Sequence, residues 1–327
     1  MLNKTLKDFI HLELDEMRFP GFMKKRTLDI ERCVEKVNRG HGWREISNCP
    51  LCEHNERQVI FNRCDINIVQ CNQCGCGYVE KIPIDTSDVY GDEDYLLANT
   101  GDYLKNVEYR KERFGVERLR LIAQCLDRSP SESRLLDVGC GTGWFLEVAR
   151  EAGYEAFGQE WGKALATNTS ERLNIKIWNE SLTEIDEREK FDVITLFDVL
   201  EHVPNPKEML LSIKGHLTDK GMAMLFVPNL DSLGFWRLKE QACLVTPAEH
   251  LVYYTGPSLR RVFSEIGFEV LMYETRGMDI PDIYAYYREK ENQNQVAEFL
   301  KEHCNVLQAI VDRAGCANHM RFIIRKK

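Results

Sequence analysis

The chain has no long apolar run. Its longest, Phe191 to Leu200, is interrupted by Asp192 and Asp198 and is too short to span a bilayer. A secretory leader is not expected either: Lys4, Lys7 and Asp8 stand where a signal peptide needs an apolar core. Nor is there an excess of positive charge. The 43 Lys and Arg against 52 Asp and Glu leave a net charge of −9. That balance argues against a broad, sequence-independent grip on nucleic-acid phosphates. Internal repeats and low-complexity tracts are also lacking. These absences exclude a membrane-spanning segment, weigh against a nucleic-acid partner and leave a cytoplasmic globular protein as the expectation. At 327 residues there is room for one large domain and a smaller one.

Cysteine, by contrast, is plentiful. Of twelve, Cys49, Cys52, Cys71 and Cys74 form the pattern C-x2-C-x18-C-x2-C. In a reducing compartment disulfides are a poor explanation for such a cluster and metal ligation a better one. Each C-x2-C turn puts two thiolates on one side of a tight loop, and two such turns complete a tetrahedral Zn²⁺ site. With four thiolates no coordination position stays open, so the role expected is structural. Cys64, Cys76 and His54 are spare donors nearby.

Residues 1–45 read as two short helices: Leu2, Leu6, Phe9 and Ile10 share helical spacing, Pro20-Gly21 interrupts, and a charged stretch follows from Lys24 to Arg39. Residues 46–82 read as the zinc ribbon. Residues 83–133 form an acidic, tyrosine-bearing connector (Tyr90, Asp94, Tyr95) and a covering helix over about Tyr103 to Leu126. From Arg134 onward strands alternate with helices. Strands are expected at 135–138, 154–159, 191–196, 222–227, 268–273 and 319–324, which implies βαβ units and a mainly parallel sheet, an α/β fold. A mostly helical, polar insertion near 281–315 is expected to cover a substrate or partner.

The sharpest motif is Asp137-Val138-Gly139-Cys140-Gly141-Thr142-Gly143, between a strand and a helix. Glycines there let the backbone turn tightly and approach a ligand, and the helix that follows presents unsatisfied N–H groups. Glu160, at the next strand end, can accept hydrogen bonds from ribose hydroxyls. The spacing G-x-G-x-G differs from the dinucleotide pattern, and Asp137 would sit badly beside a pyrophosphate. It suits an ammonium group.

Over roughly 134–325 the chain resembles the class I S-adenosylmethionine-dependent methyltransferases, on L-L-D-V-G-C-G-T-G at 135–143, Glu160, F-D-V-I-T-L-F-D-V-L-E-H-V at 191–203 and G-M-A-M-L-F-V-P-N at 221–229. The resemblance implies a Rossmann-like fold. It places the methionine moiety on Asp137, Gly139, Cys140, Gly141 and Gly143, the ribose on Glu160, and the adenine near Glu180 and Ser181. Trp161 is expected to stack on the adenine edge, Phe197 to lie near the adenosine, and Asp198 to face cofactor or substrate. The zinc ribbon, connector and methyltransferase order resembles bacterial enzymes of sugar and surface-polysaccharide modification, implying a sugar or sugar-nucleotide acceptor.

Two histidines compete for the role of base. Glu201-His202 follows the strand at 191–196 and acts either in catalysis or as a rigid helix-start network. His250, with Glu249 to orient it, is either a base for a substrate hydroxyl or a structural histidine. Other functions remain open: methylation of a macromolecule docked by the ribbon, a non-catalytic cofactor-binding scaffold, or, disfavoured by the glycine spacing, an NAD-dependent oxidoreductase. Oligomeric state and acceptor atom have no signature in the sequence.

Overall fold

In the computed structural model, residues 14–90, 107–291 and 293–327 are described. Leu2, Leu6, Phe9, Ile10, Asp94, Tyr95 and Tyr103 lie outside them. The chain opens with α1 (Leu14–Met17) and, after the Pro20-Gly21 break, α2 (Phe22–Arg39). The second helix is not short. The charged stretch forms one 18-residue helix because Met23, Ile30, Val34 and Val37 repeat at helical spacing and are buried.

The cysteine region follows, with β1 (Trp43–Glu45), β2 (Arg57–Arg63), β3 (Ile66–Cys71), β4 (Gly77–Val79), β5 (Lys81–Pro83) and the single turn α3 (Ser87–Tyr90). Residues 107–110 are helical, Lys111–Gly115 widens into a π turn, and α4 (Val116–Cys125) continues the expected covering helix.

The larger unit contains β6 (Arg134–Val138), α5 (Trp144–Glu151), β7 (Glu155–Gln159), α6 (Lys163–Leu173), β8 (Ile177–Trp178), β9 (Phe191–Phe197), α7 (Pro206–His216), β10 (Leu217–Pro228) and α8 (Leu233–Leu238). Then come β11 (Val252–Tyr253), α9 (Gly256–Glu265), β12 (Phe268–Arg276), α10 (Asp279–Glu289), α11 (Asn294–Glu302), α12 (Cys304–Ala314) and β13 (His319–Lys326). Helices α6 and α7 and the two-residue edge strand β8 are not announced by the local pattern.

Seven strands form the central sheet in the order β12-β13-β10-β9-β6-β7-β8. Strands β6 to β10 pair in parallel, and β13 is inserted antiparallel between β10 and β12. This is a Rossmann-like α/β sheet, and both faces are buried. Leu135, Val193, Met224 and Ile323 pack with Ile122 of α4 and Phe145 and Leu146 of α5. Their neighbours Leu136, Ile194, Leu225 and Phe322 pack with Leu210 of α7 and Leu259 and Phe263 of α9. A strand buried on both faces reads as a continuous apolar run, as 191–196 does.

The cysteine-rich strands do not stand apart as the sequence divides them. Their sheet runs β11-β4-β3-β2, so its edge strand is supplied by residues 252–253, from the part of the chain that builds the central sheet. Arg63 adds to the join by donating to the carbonyls of Ala242 and Val245, both at 2.9 Å. Among the described residues no helix is long and apolar enough to cross a membrane.

Candidate active site and metal centre

Strand β6 can turn under a ligand only because of glycine. Gly139 has φ +66°, and a Cβ there would lie 2.5 Å from a Val199 methyl. Gly143, at φ +71°, starts α5 and would likewise strike Leu173. Glu160 braces the bend. Its two carboxylate oxygens accept from the backbone N–H of Gly141 at 3.0 Å and of Gly162 at 2.8 Å. A carboxylate has about four lone-pair sites, so each oxygen keeps one for a ribose hydroxyl. Burial pushes the Glu160 pKa up, against the pull of those backbone bonds.

Two cavities meet at Gly139 and Asp198. The smaller, about 280 Å³, is lined by Arg118, Asp137, Cys140, Phe197, Asp198 and His319, and also by Gln308 and Asp312 of α12. The larger, about 1340 Å³, is lined by Glu160, Trp161, Ser181 and Leu182 and by Tyr90, His202 and Glu249. The buried carboxyl of Asp137 thus belongs to the smaller cavity and that of Glu160 to the larger.

Asp137 is buried and accepts from Thr195 Oγ1 at 2.6 Å. Burial pushes its pKa up to about 7, against the Thr195 hydrogen bond and the charge of Arg118. Asp198 lies at the junction with φ +57°, uncommon for a residue other than glycine. Although burial opposes it, the hydrogen bond and charge of His319, 3.1 Å away, hold its carboxyl below the usual range.

The histidines are stacked one behind the other. Rings of His202 and His250 meet edge to face with centroids 4.8 Å apart. His202 lines the large cavity; His250 is buried behind it. His202 Nδ1 donates to the Glu249 carbonyl at 2.9 Å and lies 2.8 Å from the Tyr90 hydroxyl. A carbonyl only accepts, so Nδ1 carries the proton and Nε2 keeps its lone pair. Burial holds the His202 pKa below its ordinary value and that of His250 well below. Glu201 is buried with neither oxygen hydrogen-bonded, and its pKa is raised well above normal by burial and by Asp198. One carboxylate oxygen of Glu201 and one nitrogen from each of His202 and His250 lie within 4.8 Å of one another, a donor set that could also hold a divalent cation.

Residues 107–273, half of the chain, match the model of a methyltransferase domain. The chain belongs to the class I S-adenosylmethionine-dependent methyltransferases. Its relatives include a ubiquinone biosynthesis O-methyltransferase of Rickettsia bellii, 27% identical over 104 residues, 30% of this chain and 43% of that protein. Another, of the same name, from Alkalilimnicola ehrlichii is 36% identical over 97 residues, 27% of this chain and 38% of that protein. The chain thus matches less than half the length of these relatives. Among solved structures, magnesium protoporphyrin IX methyltransferase from Synechocystis PCC 6803 with bound SAH superposes with TM-score 0.48 and 13% identity, covering 74% of this chain and 100% of that one.

Several expectations for this methyltransferase change in detail. Phe197 lines the smaller cavity and not the larger one that holds Glu160, because it packs edge-on to Phe145 of α5 and beneath Arg118. Glu180 does not line the large cavity, which takes Ser181 and Leu182 instead. The exposed ring of Trp161 does line it. Glu249 does not orient His250: its carboxylate pairs with Arg26 at 3.6 Å and its carbonyl holds His202. Of the helical insertion, α12 reaches the smaller cavity, not the larger. Sequence reasoning missed Arg118 and the α2 wall, since nothing local marks them; Tyr90 of the acidic connector, which it did name, lines the larger cavity.

The four ribbon cysteines fit zinc. Cys49 and Cys74 sulfurs are 3.6 Å apart, as are those of Cys52 and Cys71, and all four lie within 4.8 Å of one another. A tetrahedron of Zn–S bonds of about 2.3 Å separates its sulfurs by about 3.8 Å. Cys76, buried beside them, donates instead to the carbonyls of Gly77 and Tyr253.

Two outcomes follow from this geometry. An arriving ammonium favours the ionised form of Asp137, so binding of S-adenosylhomocysteine sheds a proton. Calorimetry will find that affinity about tenfold higher at pH 8 than at pH 6. 5′-Methylthioadenosine, which lacks the amino-acid end, will show no such slope; a flat profile for both refutes the assignment. Elemental analysis will find about one zinc per chain. Chelation will speed hydrogen exchange in Gly77–Val79 and Val252–Tyr253 together while β6 and β9 stay protected. Metal-free protein with unchanged exchange would rule the metal out.

Proposed function

We propose that this methyltransferase transfers a methyl group to a hydroxyl of a small acceptor that also bears an anionic group, with a sugar nucleotide as the expected class. What carries the reading is the make-up of the large cavity. Beyond the ribose side it holds a histidine with an available lone pair, and its outer wall is one face of α2. Lys25, Asp29, Arg32 and Lys36 stand at i, i+4, i+7 and i+11 on that face, with Arg26 and Cys33 beside them. Three of the four positions in the stripe are basic in a chain of net charge −9. Such a local concentration of positive charge attracts an anion into the cleft. The name O-methyltransferase, borne by the relatives, supports oxygen as the accepting atom.

S-Adenosylmethionine, when bound, supplies a methyl group already activated on a sulfonium. The protein must therefore align an oxygen and take its proton. His202 has the means. Its Nδ1–H is tied to the Glu249 carbonyl, so the ring is held in the tautomer that exposes Nε2 as acceptor. Its lowered pKa keeps it neutral, and so basic, at pH 7. His250 packs against its ring and acts as a positioning residue. Glu160, Ser181 and Leu182 line the adenosine side. Zinc in the four-cysteine site would hold the ribbon, and with it β11, in place.

His202→Asn should lower kcat by about 10²- to 10⁴-fold while leaving S-adenosylhomocysteine affinity unchanged. The wild-type rate should fall on the acid side with a midpoint below 6.5. Labelled methyl transfer to nucleotide sugars, neutral sugars, RNA and protein decides the acceptor. Transfer to nucleotide sugars, weakened by salt and by Arg32→Glu, supports the reading. Transfer only to a macromolecule, or none to any acceptor, replaces it with a docking enzyme or a scaffold.

A further inference from the structure

His319, the first residue of β13, is buried and stacks face to face on Phe226, with ring centroids 4.6 Å apart. Its Nδ1 lies 3.0 Å from Asn318 Oδ1 and its Nε2 3.1 Å from Asp198 Oδ1. The Asn318 amide can face only one way. Its oxygen accepts from the backbone N–H of Met278 at 3.1 Å, and its nitrogen donates to the Asp282 carboxylate at 3.1 Å. Turned over, it would set donor against donor and oxygen against carboxylate. His319 Nδ1 therefore carries a proton. Nε2 faces a carboxylate held ionised and carries one as well. The ring is an imidazolium with both donors committed.

Asp198 has an oxygen to spare. Its Oδ1 is taken by His319; among the described residues no other group bonds the carboxylate, and the side chain is 49% exposed where the two cavities meet. Its backbone N–H donates to the Phe226 carbonyl at 2.9 Å, so the strained turn and the imidazole ring rest on one residue. Against burial, His319, Arg118 and His202 keep the carboxylate charged. Burial and Asp198 itself push the pKa of the remaining neighbour, Glu201, well above normal. The Arg118 guanidinium is pinned among rings, 3.8 Å from the Phe197 centroid, 5.2 Å from Phe226 and 5.4 Å from Trp144.

A ligand with its ammonium at Asp137 and its ribose at Glu160 must pass its sulfur through the junction, beside Asp198. We propose that His319 is a positioning residue that aims the free oxygen of Asp198 at this sulfur, so that the site tells S-adenosylmethionine from S-adenosylhomocysteine by charge. This rests on the reading that the cofactor spans both cavities. A sulfonium is attracted to the carboxylate. After transfer the sulfur keeps the bonding electron pair and is neutral, so the attraction ends and the spent cofactor is held less tightly. The imidazolium behind Asp198 offsets part of the field, which leaves a preference of about tenfold.

Calorimetry with S-adenosylmethionine, S-adenosylhomocysteine and sinefungin, whose amine carries the charge in place of the sulfonium, tests this. Wild type should bind the two charged ligands about tenfold more tightly than S-adenosylhomocysteine. Asp198→Asn should erase that preference by weakening the charged ligands alone. His319→Ala should reduce it, and His319→Gln, whose amide can still donate to Asp198, should restore most of it. Equal losses for all three ligands would make these side chains structural and overturn the proposal. So would an unchanged preference in either Asp198→Asn or His319→Ala. Should the variants fail to fold, wild type decides: S-adenosylhomocysteine bound as tightly as the charged ligands, or more so, overturns it. Wild type that binds none of the three would instead defeat the cofactor assignment itself.

Discussion

A short seam of backbone hydrogen bonds holds the two halves of this enzyme in one working arrangement. Strand β4 of the cysteine ribbon pairs with β11, joining Tyr78 to Val252 and Gly77 to Tyr253, and Val79 N–H donates to the Leu251 carbonyl. Leu251 N–H in turn donates to the carbonyl of Glu201. The chain of bonds therefore runs from the four-cysteine ribbon through the segment carrying His250 to the one carrying His202. Edge strands seek pairing, and a two-residue strand has no stability alone. Here the ribbon supplies the partner, so ordering the four cysteines also orders the wall of the large cavity.

The two cavities place contrasting electrostatic demands on one sheet edge. Around Asp137 and Arg118 charges are buried, and their protonation is set by desolvation as much as by partners. Around α2 charges are more exposed and act through their summed field. Asp198 stands between these regimes, its backbone in the left-handed region and its carboxylate tied to His319. Strained residues of this kind gather where a fold must aim a group at a ligand. Buried Arg321 and Arg276, with the half-buried Glu117 and Glu274, form a network that fixes α4 onto the sheet. Arg118 therefore meets the cavity from a rigid support.

The division between the legible and the hidden follows the range of the interactions. The glycine bend was legible because a tight turn with positive φ constrains residue type within a few positions. The four cysteines were legible because metal geometry constrains spacing. The alternating strands showed because burial on two faces leaves an apolar run. Helix α2 showed as charge, and its inward stripe of Met23, Ile30, Val34 and Val37 was obscured by the basic residues between them. Glu249 illustrates a different limit. Adjacent to His250 in sequence, it points instead to Arg26 and lends its carbonyl to His202, because the segment turns between α2 and the Glu201 loop.

By itself the sequence pointed to the family: a strand, a glycine bend and an acid at the next strand end, in that order, carry the resemblance to the S-adenosylmethionine-dependent methyltransferases, and four spaced cysteines call for a metal. Tertiary structure alone decided which histidine meets the cleft and which stands behind it. It also decided that a distant arginine would be buried among three aromatic rings, and that the basic face of a helix before the ribbon would become a cavity wall. Local backbone geometry and ligand spacing are written in neighbouring residues. Burial, tautomer and pairing depend on groups that the fold brings together from more than a hundred positions away, as with Arg26 and Glu249.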